Sequence, residues 1–364
     1  MATEQAPPPT LDLHTKTAGE PALELLPYTR HELDQSLGPE WPTLLTRGLR
    51  WMLLGRALDS RMLALQRQGR IGFYGPATGQ EAVSVGAALA VEPDDWVFPG
   101  LREQLLALAR GHPLPTYVHH LFADRDDPTL GRQMPCHPSA RDVNYVSMSS
   151  VIGTQISQAV GAAYAFKLKR SKAVALAFFG DGATSANDFH AGLNFAGVFS
   201  LPVVFACTNN QWAISVPVAR QSHVMHLSDK AKAYGMPGRT VDGTDIVEVY
   251  RAFRDAIALA RSGGGPTMIE FVLYRMTPHS SSDDPTRYQP ADFLARGRAH
   301  DPVARLDALL NATGAIQPDA RSALANDADR SVRAAIELAE RAGPPPPESL
   351  MTDVFAPPAS AGAR

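Results

Sequence analysis

Two apolar stretches in this chain end in turns that carry hard oxygen donors. The run Ala173 to Phe179 passes straight into Gly180-Asp181-Gly182, and about thirty residues later Pro202 to Thr208 passes into Asn209-Asn210-Gln211-Trp212. A carboxylate from Asp181 and an amide oxygen from Asn210 suit a small hard dication such as Mg²⁺, which fills its other positions with water and phosphate oxygens. Gly180 and Gly182 would let the backbone approach a phosphate closely. Between the two stretches, Asn187 to Ser200 reads as a helix. The unit is therefore strand, helix, parallel strand, with both strand ends on one edge of a sheet. That carboxyl edge is where open α/β sheets bind ligands. A Gly-Asp-Gly alone is ordinarily a tight turn; the second strand ending in Asn-Asn makes it a candidate site.

The text around the pair, GDGATSANDFHAGLNFAGVFSLPVVFACTNNQWAIS, resembles the diphosphate-binding motif of thiamine diphosphate enzymes. It is similar to the alpha subunit of 2-oxoacid dehydrogenase E1 components, nearest to the branched-chain (2-oxoisovalerate) type. The resemblance covers roughly residues 45 to 345 and is densest between 131 and 290. It implies an α/β fold, with a mostly parallel sheet, helices on both faces and extra helices at both ends. It also implies oxidative decarboxylation of a 2-oxoacid, with the acyl group passed to a lipoyl-bearing E2 acyltransferase. Thiamine diphosphate and Mg²⁺ would be the cofactors, with K⁺ as a further ion. An E1 beta subunit would complete an α₂β₂ heterotetramer. The alternatives within reach are a pyruvate or acetoin dehydrogenase alpha subunit, and a non-catalytic pseudo-subunit.

Carried over position by position, the resemblance gives Mg²⁺ to Asp181, Asn210 and the backbone carbonyl of Trp212, and the diphosphate to Gly180, Asp181, Gly182 and Ala183. Arg102 matches the arginine of an F-x-x-x-R segment that contacts the diphosphate. Its neighbour, commonly Tyr, is Leu101 here, and Thr208 stands where some relatives carry a further arginine. Those two departures are what a pseudo-subunit would draw on. Ser150 and Ile152 match cofactor contacts; Ser149, Val151, Thr154 and Gln155 match a monovalent-cation site. His279 matches an active-site histidine, expected to assist acyl transfer as a group titrating near neutral pH. Ser280 matches a serine phosphorylated in eukaryotic relatives, but a second such position is Pro290, which cannot be modified.

Read without the resemblance, these residues have plainer roles. Arg102 follows a short apolar strand, where an arginine is more often solvated. Hydroxyls at a helix entrance, as at Ser149, Ser150 and Thr154, are ordinarily N-caps, and His279 would be an exposed loop residue. His223 and His226 lie three apart with no third ligand at metal-binding spacing.

The elements that must position these groups follow from periodicity. A long amphipathic helix runs from Pro42 and stops at Gly69, and a second spans Gln80 to Ala90. Trp96 to Pro99 reads as a strand, and a helix entered at Ser149 continues to Lys169. Arg220 to Gly238 reads as irregular, Val241 to Asp245 as the entrance to a helix ending at Ser262, and Pro266 to Tyr274 as the strand completing the sheet. Helices over Pro302–Ala312 and Pro318–Ala342 close the domain. The expected division is an extended arm (1–40), one domain (41–345) and a tail (346–364).

With 34 Lys and Arg against 37 Asp and Glu, the chain has no basic excess to recruit nucleic acid or an anionic membrane. No apolar run reaches membrane-span length. Two cysteines, Cys136 and Cys207, are too few for a disulfide framework. The opening MATEQAPPPT matches neither a secretory signal nor an Arg-rich transit peptide, so a cytoplasmic location is expected. The sequence accounts for one sheet only. The resemblance implies that the carboxylic acid activating the cofactor sits on a second α/β domain, which would then belong to the E1 beta subunit.

Overall fold

In a computed structural model that describes residues 22–352 and 354, the chain forms α1 (Arg30–Leu37), α2 (Trp41–Arg67) and α3 (Glu81–Ala90) before strand β1 (Trp96–Phe98). Helices α4 (Gln104–Ala109), α5 (Leu114–Phe122) and α6 (Thr154–Leu168) lead to β2 (Ala175–Gly180), α7 (Asn187–Val198) and β3 (Val203–Asn209). A two-stranded hairpin, β4 (Trp212–Ala213) and β5 (Val216–Pro217), precedes β6 (Gly238–Asp242), α8 (Ile246–Arg261) and β7 (Thr267–Val272). Helices α9 (Phe293–Ala299), α10 (Pro302–Ala312) and α11 (Pro318–Ala342) end the fold.

The sheet has the order β1-β2-β3-β7-β6, and every pairing is parallel. A strand covered on both faces must be apolar throughout, which is why β2, β3 and β7 read as unbroken hydrophobic runs. Their side chains part alternately. Leu176, Phe178, Val204, Ala206, Ile269 and Phe271 face α3 and α8. Ala175, Ala177, Phe179, Val203, Phe205 and Cys207 face α6 and α7. Helix α3 lies so close to α8 that a Cβ on Gly86 would come within 2.6 Å of Val249 Cγ1. Beyond that layer α2 packs on α10 and α11 through Leu45, Leu49, Met52, Leu306 and Val332, a second core made by helices alone. The expected α/β class, with helices on both faces and at both ends, is what forms.

Three expectations are corrected. Residues 30–37, assigned to an extended arm, are helical, because Thr29 and Glu32 form a reciprocal capping box, with Glu32 N donating to Thr29 Oγ1 at 3.3 Å and Thr29 N to Glu32 Oε2 at 2.8 Å. Leu33 on that helix is fully buried. The remainder of the arm, residues 1–21, lies outside the described residues, as does most of the tail. Second, Gly238–Asp242 is an edge strand, polar because one side meets solvent, and β7 is consequently interior. Third, the helix expected from Ser149 starts at Thr154 behind Gly153, whose φ of +90° breaks the approach.

Phe253 is fully buried, stacked on Phe271 at 4.8 Å and packed on Phe178 at 5.7 Å. Phe253→Ala should cost about 3–5 kcal/mol, read from the denaturant midpoint with the slope unchanged.

Candidate functional site

The register sets the site. Gly180 pairs with Thr208 and Asn209 with Val272, so Asp181, Asn210 and Leu273 leave the sheet together at its carboxyl edge. The two asparagines then divide their work. Asn209 Nδ2 donates to buried Glu270 Oε1 at 2.7 Å, and its Oδ1 accepts from Gln211 N at 3.0 Å. Asn210 Oδ1 accepts from Trp212 N at 3.2 Å and its Nδ2 reaches Gln80 Oε1 at 3.4 Å. Glu270 also accepts from Ser228 N and Thr240 Oγ1, each at 3.1 Å, tying β3, β6 and β7 to one carboxylate. Gln211, at φ +71°, turns the chain into the hairpin. That hairpin lies on the Asp181 turn: a Cβ on Gly182 would stand 2.7 Å from Ala213 Cβ. Gly182 is thus demanded by the protein itself, whereas a Cβ on Gly180 would have no neighbour nearer than 4.0 Å.

Asp181 is buried, Gln221 Nε2 donates to its Oδ2 at 2.9 Å, and no ion pair neutralises it among the described residues. Burial pushes its carboxyl up to about 6 against the pull of Gln221 and Arg275. Arg275 is 1% exposed and donates to Trp212 O at 3.1 Å, Ile214 O at 2.9 Å and Tyr288 Oη at 2.7 Å, while its Nε has no partner. Arg102 is also buried; it donates to Pro76 O, and to His279 O at 2.6 Å. Burial, then the positive charge of Arg275, pull Arg102 down to about 10. Two guanidiniums placed under cover in this way could receive an anion.

His279 sits half-buried beside Arg102, its backbone N donating to Asp283 Oδ2 at 2.7 Å. Burial, Arg102 and Arg275 together push its imidazole down to about 4, so it is neutral at pH 7 and does not titrate near neutrality as the sequence suggested. Segment 74–78, which receives Arg102, is pinned by Asp59. That buried carboxylate accepts from Tyr74 Oη at 2.7 Å, Ala77 N at 2.9 Å and Thr78 Oγ1 at 2.6 Å. Leu101 is half-buried and faces Gly75, while Ala183 is buried in the Asp181 turn.

The segment before α6 is open. Val151 and Ile152 are 67% and 63% exposed, Ser149 Oγ accepts from Val151 N at 3.1 Å, and Ser150 Oγ bonds His137 Nε2. None of these hydroxyls, nor Thr154, caps α6; the N-cap is Gly153. Gln155 Nε2 donates to Phe178 O at 2.8 Å, and its Oε1 is a buried acceptor with no partner. His223 and His226 lie in an exposed loop, and the described residues contain no group of three His, Cys, Asp or Glu able to hold a metal.

The structure therefore brings Asp181, Asn210, Trp212, Arg102 and His279 to one edge. Sequence reasoning missed Arg275, Gln80, Gln221, Asp59 and Glu270. The last two carry a visible signal: Asp59 falls on the apolar stripe of α2, and Glu270 interrupts an otherwise apolar strand.

The family profile described as Dehydrogenase E1 component matches residues 49–348. The chain is 40% identical over 309 residues to the 2-oxoisovalerate dehydrogenase subunit alpha of Bacillus subtilis, covering 84% of this chain and 94% of that protein. It is 44% identical over 270 residues to the 3-methyl-2-oxobutanoate dehydrogenase subunit alpha of Mycobacterium tuberculosis, covering 73% and 71%. It is also 38% identical over 310 residues to the pyruvate dehydrogenase E1 component subunit alpha of Bacillus cereus, covering 84% and 80%.

Glu270→Gln replaces an acceptor of three hydrogen bonds by a group that must turn an N–H toward one or more donors. The expected loss is roughly 2–4 kcal/mol in chemical denaturation.

Proposed function

Since the chain belongs to the dehydrogenase E1 component family, we propose that it is the alpha subunit of a branched-chain 2-oxoacid dehydrogenase. It acts in oxidative decarboxylation of 2-oxoacids such as 2-oxoisovalerate, with acyl transfer to a lipoyl-bearing E2. The observation that carries this reading is the meeting, at one sheet edge, of an unneutralised buried carboxylate and two mutually repelling buried guanidiniums. A dication bound to a diphosphate neutralises both.

When bound, thiamine diphosphate supplies the electron sink for loss of the 2-oxoacid carboxylate. The chain's residues bind and orient it. Asp181, Asn210 Oδ1 and the Trp212 carbonyl would hold Mg²⁺; that carbonyl keeps a lone pair beyond the one Arg275 uses. The backbone of Gly180, Gly182 and Ala183 and the side chain of Arg102 would face the diphosphate, with Leu101 and Ile152 as apolar contacts. Ser149, Val151, Thr154 and Gln155 would hold K⁺, and the partnerless Gln155 Oε1 fits such a cation. His279, a neutral imidazole beside Arg102, would assist acyl transfer.

Among the described residues there is one parallel sheet, of five strands, which supports a reading in which the acid that activates the cofactor would come from an E1 beta subunit in an α₂β₂ assembly. Exposed Val151, Ile152, Ile214, Val216, Val224 and Met225 supply apolar surface for that seat.

With its beta partner, the chain is expected to turn over branched 2-oxoacids only with thiamine diphosphate and Mg²⁺, and faster than pyruvate or acetoin; equal rates without cofactor would refute the reading. A preference for pyruvate would move it to the other type of alpha subunit that it is similar to. Asp181→Ala should abolish cofactor retention in equilibrium dialysis without unfolding the chain. The folded-state value of Asp181 is raised, so below about pH 6 a proton must leave before a cation binds. Affinity for the Mg²⁺ complex should then fall as pH drops from about 7 to about 5, by up to ~10-fold per unit beyond the ligand's own titration.

A further inference from the structure

Arg102 is held at its tip by the carbonyls of Pro76 and His279, but its backbone belongs to a short turn between the end of β1 and the start of α4. A long, rotamer-rich side chain keeps its tip in one place only if its root is fixed as well. Two buried side chains do this. Arg102 N donates to Glu103 Oε2 at 3.2 Å, and Arg102 O accepts from Ser84 Oγ, on α3, at 3.4 Å.

Glu103 is the unusual member of this clasp. It is buried, and no lysine, arginine or histidine side chain forms an ion pair with it among the described residues. It stands at the N-cap of α4, yet its side chain makes no capping bond to that helix and turns back on the preceding turn instead. A Cβ on Gly100 would press on Glu103 Oε2 at 3.0 Å. Burial pushes the Glu103 carboxyl up to about 7, against the N–H groups of Arg102, Gly100 and Glu103 itself and the charge of Arg102. Tyr145 is a further titratable neighbour. A buried carboxylate with only backbone donors around it is costly to keep, and what it supplies is one fixed geometry for the turn.

We propose that Glu103 is a positioning residue: by accepting the Arg102 N–H it fixes the root of that side chain, and so sets where the guanidinium meets an anion of the diphosphate class. The proposal rests on the cofactor reading above for the identity of that anion, and adds the residue that directs the arginine toward it.

The test is calorimetric titration of the assembled alpha and beta subunits, in the presence of Mg²⁺, with thiamine diphosphate and separately with inorganic pyrophosphate. Glu103→Leu should weaken both about tenfold, and Glu103→Gln, which keeps a side-chain oxygen for the Arg102 N–H, should recover to within about threefold of wild type. Arg102→Met should weaken both at least as much as Glu103→Leu. Adding Glu103→Leu to Arg102→Met should then cost nothing further, because Glu103 acts only through Arg102. A residue that merely steadied the fold would lower affinity equally in both backgrounds. Unchanged affinity in Glu103→Leu, a loss confined to thiamine diphosphate, additive losses with Arg102→Met, or Glu103→Gln as weak as Glu103→Leu would overturn the proposal. Should Glu103→Leu fail to fold, Gly100→Ala, which displaces the carboxylate, decides: about threefold loss is expected, absent in the Arg102→Met background, and no loss overturns the proposal. A wild-type assembly that binds pyrophosphate but not thiamine diphosphate would refute the cofactor reading alone, and the same variants are then read with pyrophosphate; one that binds neither would sink both.

Discussion

Two buried guanidiniums at the carboxyl end of a parallel sheet, Arg102 and Arg275, are the constraint around which this site is arranged. Arg102 and Arg275 have given up water, and the charge of Arg275 adds to burial in weakening the hold of Arg102 on its proton. Burying a charge without a partner costs several kcal/mol. The protein meets part of that cost with backbone carbonyls: Pro76 and His279 for Arg102, Trp212 and Ile214 for Arg275. Carbonyls satisfy donors but do not cancel charge. Asp59 and Glu103 offset part of the charge on Arg102, and Asp283 and Asp181 part of that on Arg275, so an anion at this edge would add to them; burial and the two guanidiniums together hold His279 unprotonated.

Those carbonyls must themselves be held. Asp59, on α2, fixes segment 74–78 from below, and Glu270, in the middle of β7, fixes Asn209 and so the direction in which Asn210 leaves β3. Each is a buried carboxylate with all its work done on neutral donors, an arrangement that trades stability for a unique geometry. Neither touches the candidate ligand site, yet both orient what does.

Much of the architecture could be read from residues. The strand ends at Asp181 and Asn210 came from apolar runs stopping at polar turns, and the parallel pairing from the helix between them. Edge strand β6 was hidden because Gly-Arg-Thr-Val-Asp has one apolar residue and no alternation, its place being set by pairing to β7. Helix α1 was overlooked although its capping box is written in Thr29 and Glu32. At the site, residue types single out Asp181, Asn210 and His279, but not the burial that moves the proton affinities of Asp181 and His279, which is a property of packing. Arg275 was passed over because its importance comes from a contact with a hairpin 60 or so residues away in sequence.

The hairpin's seat on Gly182 has its own consequence. The segment is closed at one end by Val218 N on Gln211 O at 3.0 Å and at the other by Gln221 on Asp181, while Ala213 rests where a side chain on residue 182 would be. It is a ring of fixed circumference threaded against the sheet edge, so residues 211–221 cannot lengthen or shorten without letting go of one anchor. Sequence drift here should proceed by exchange of side chains at constant loop length, with positions 182 and 213 changing bulk only in opposite directions.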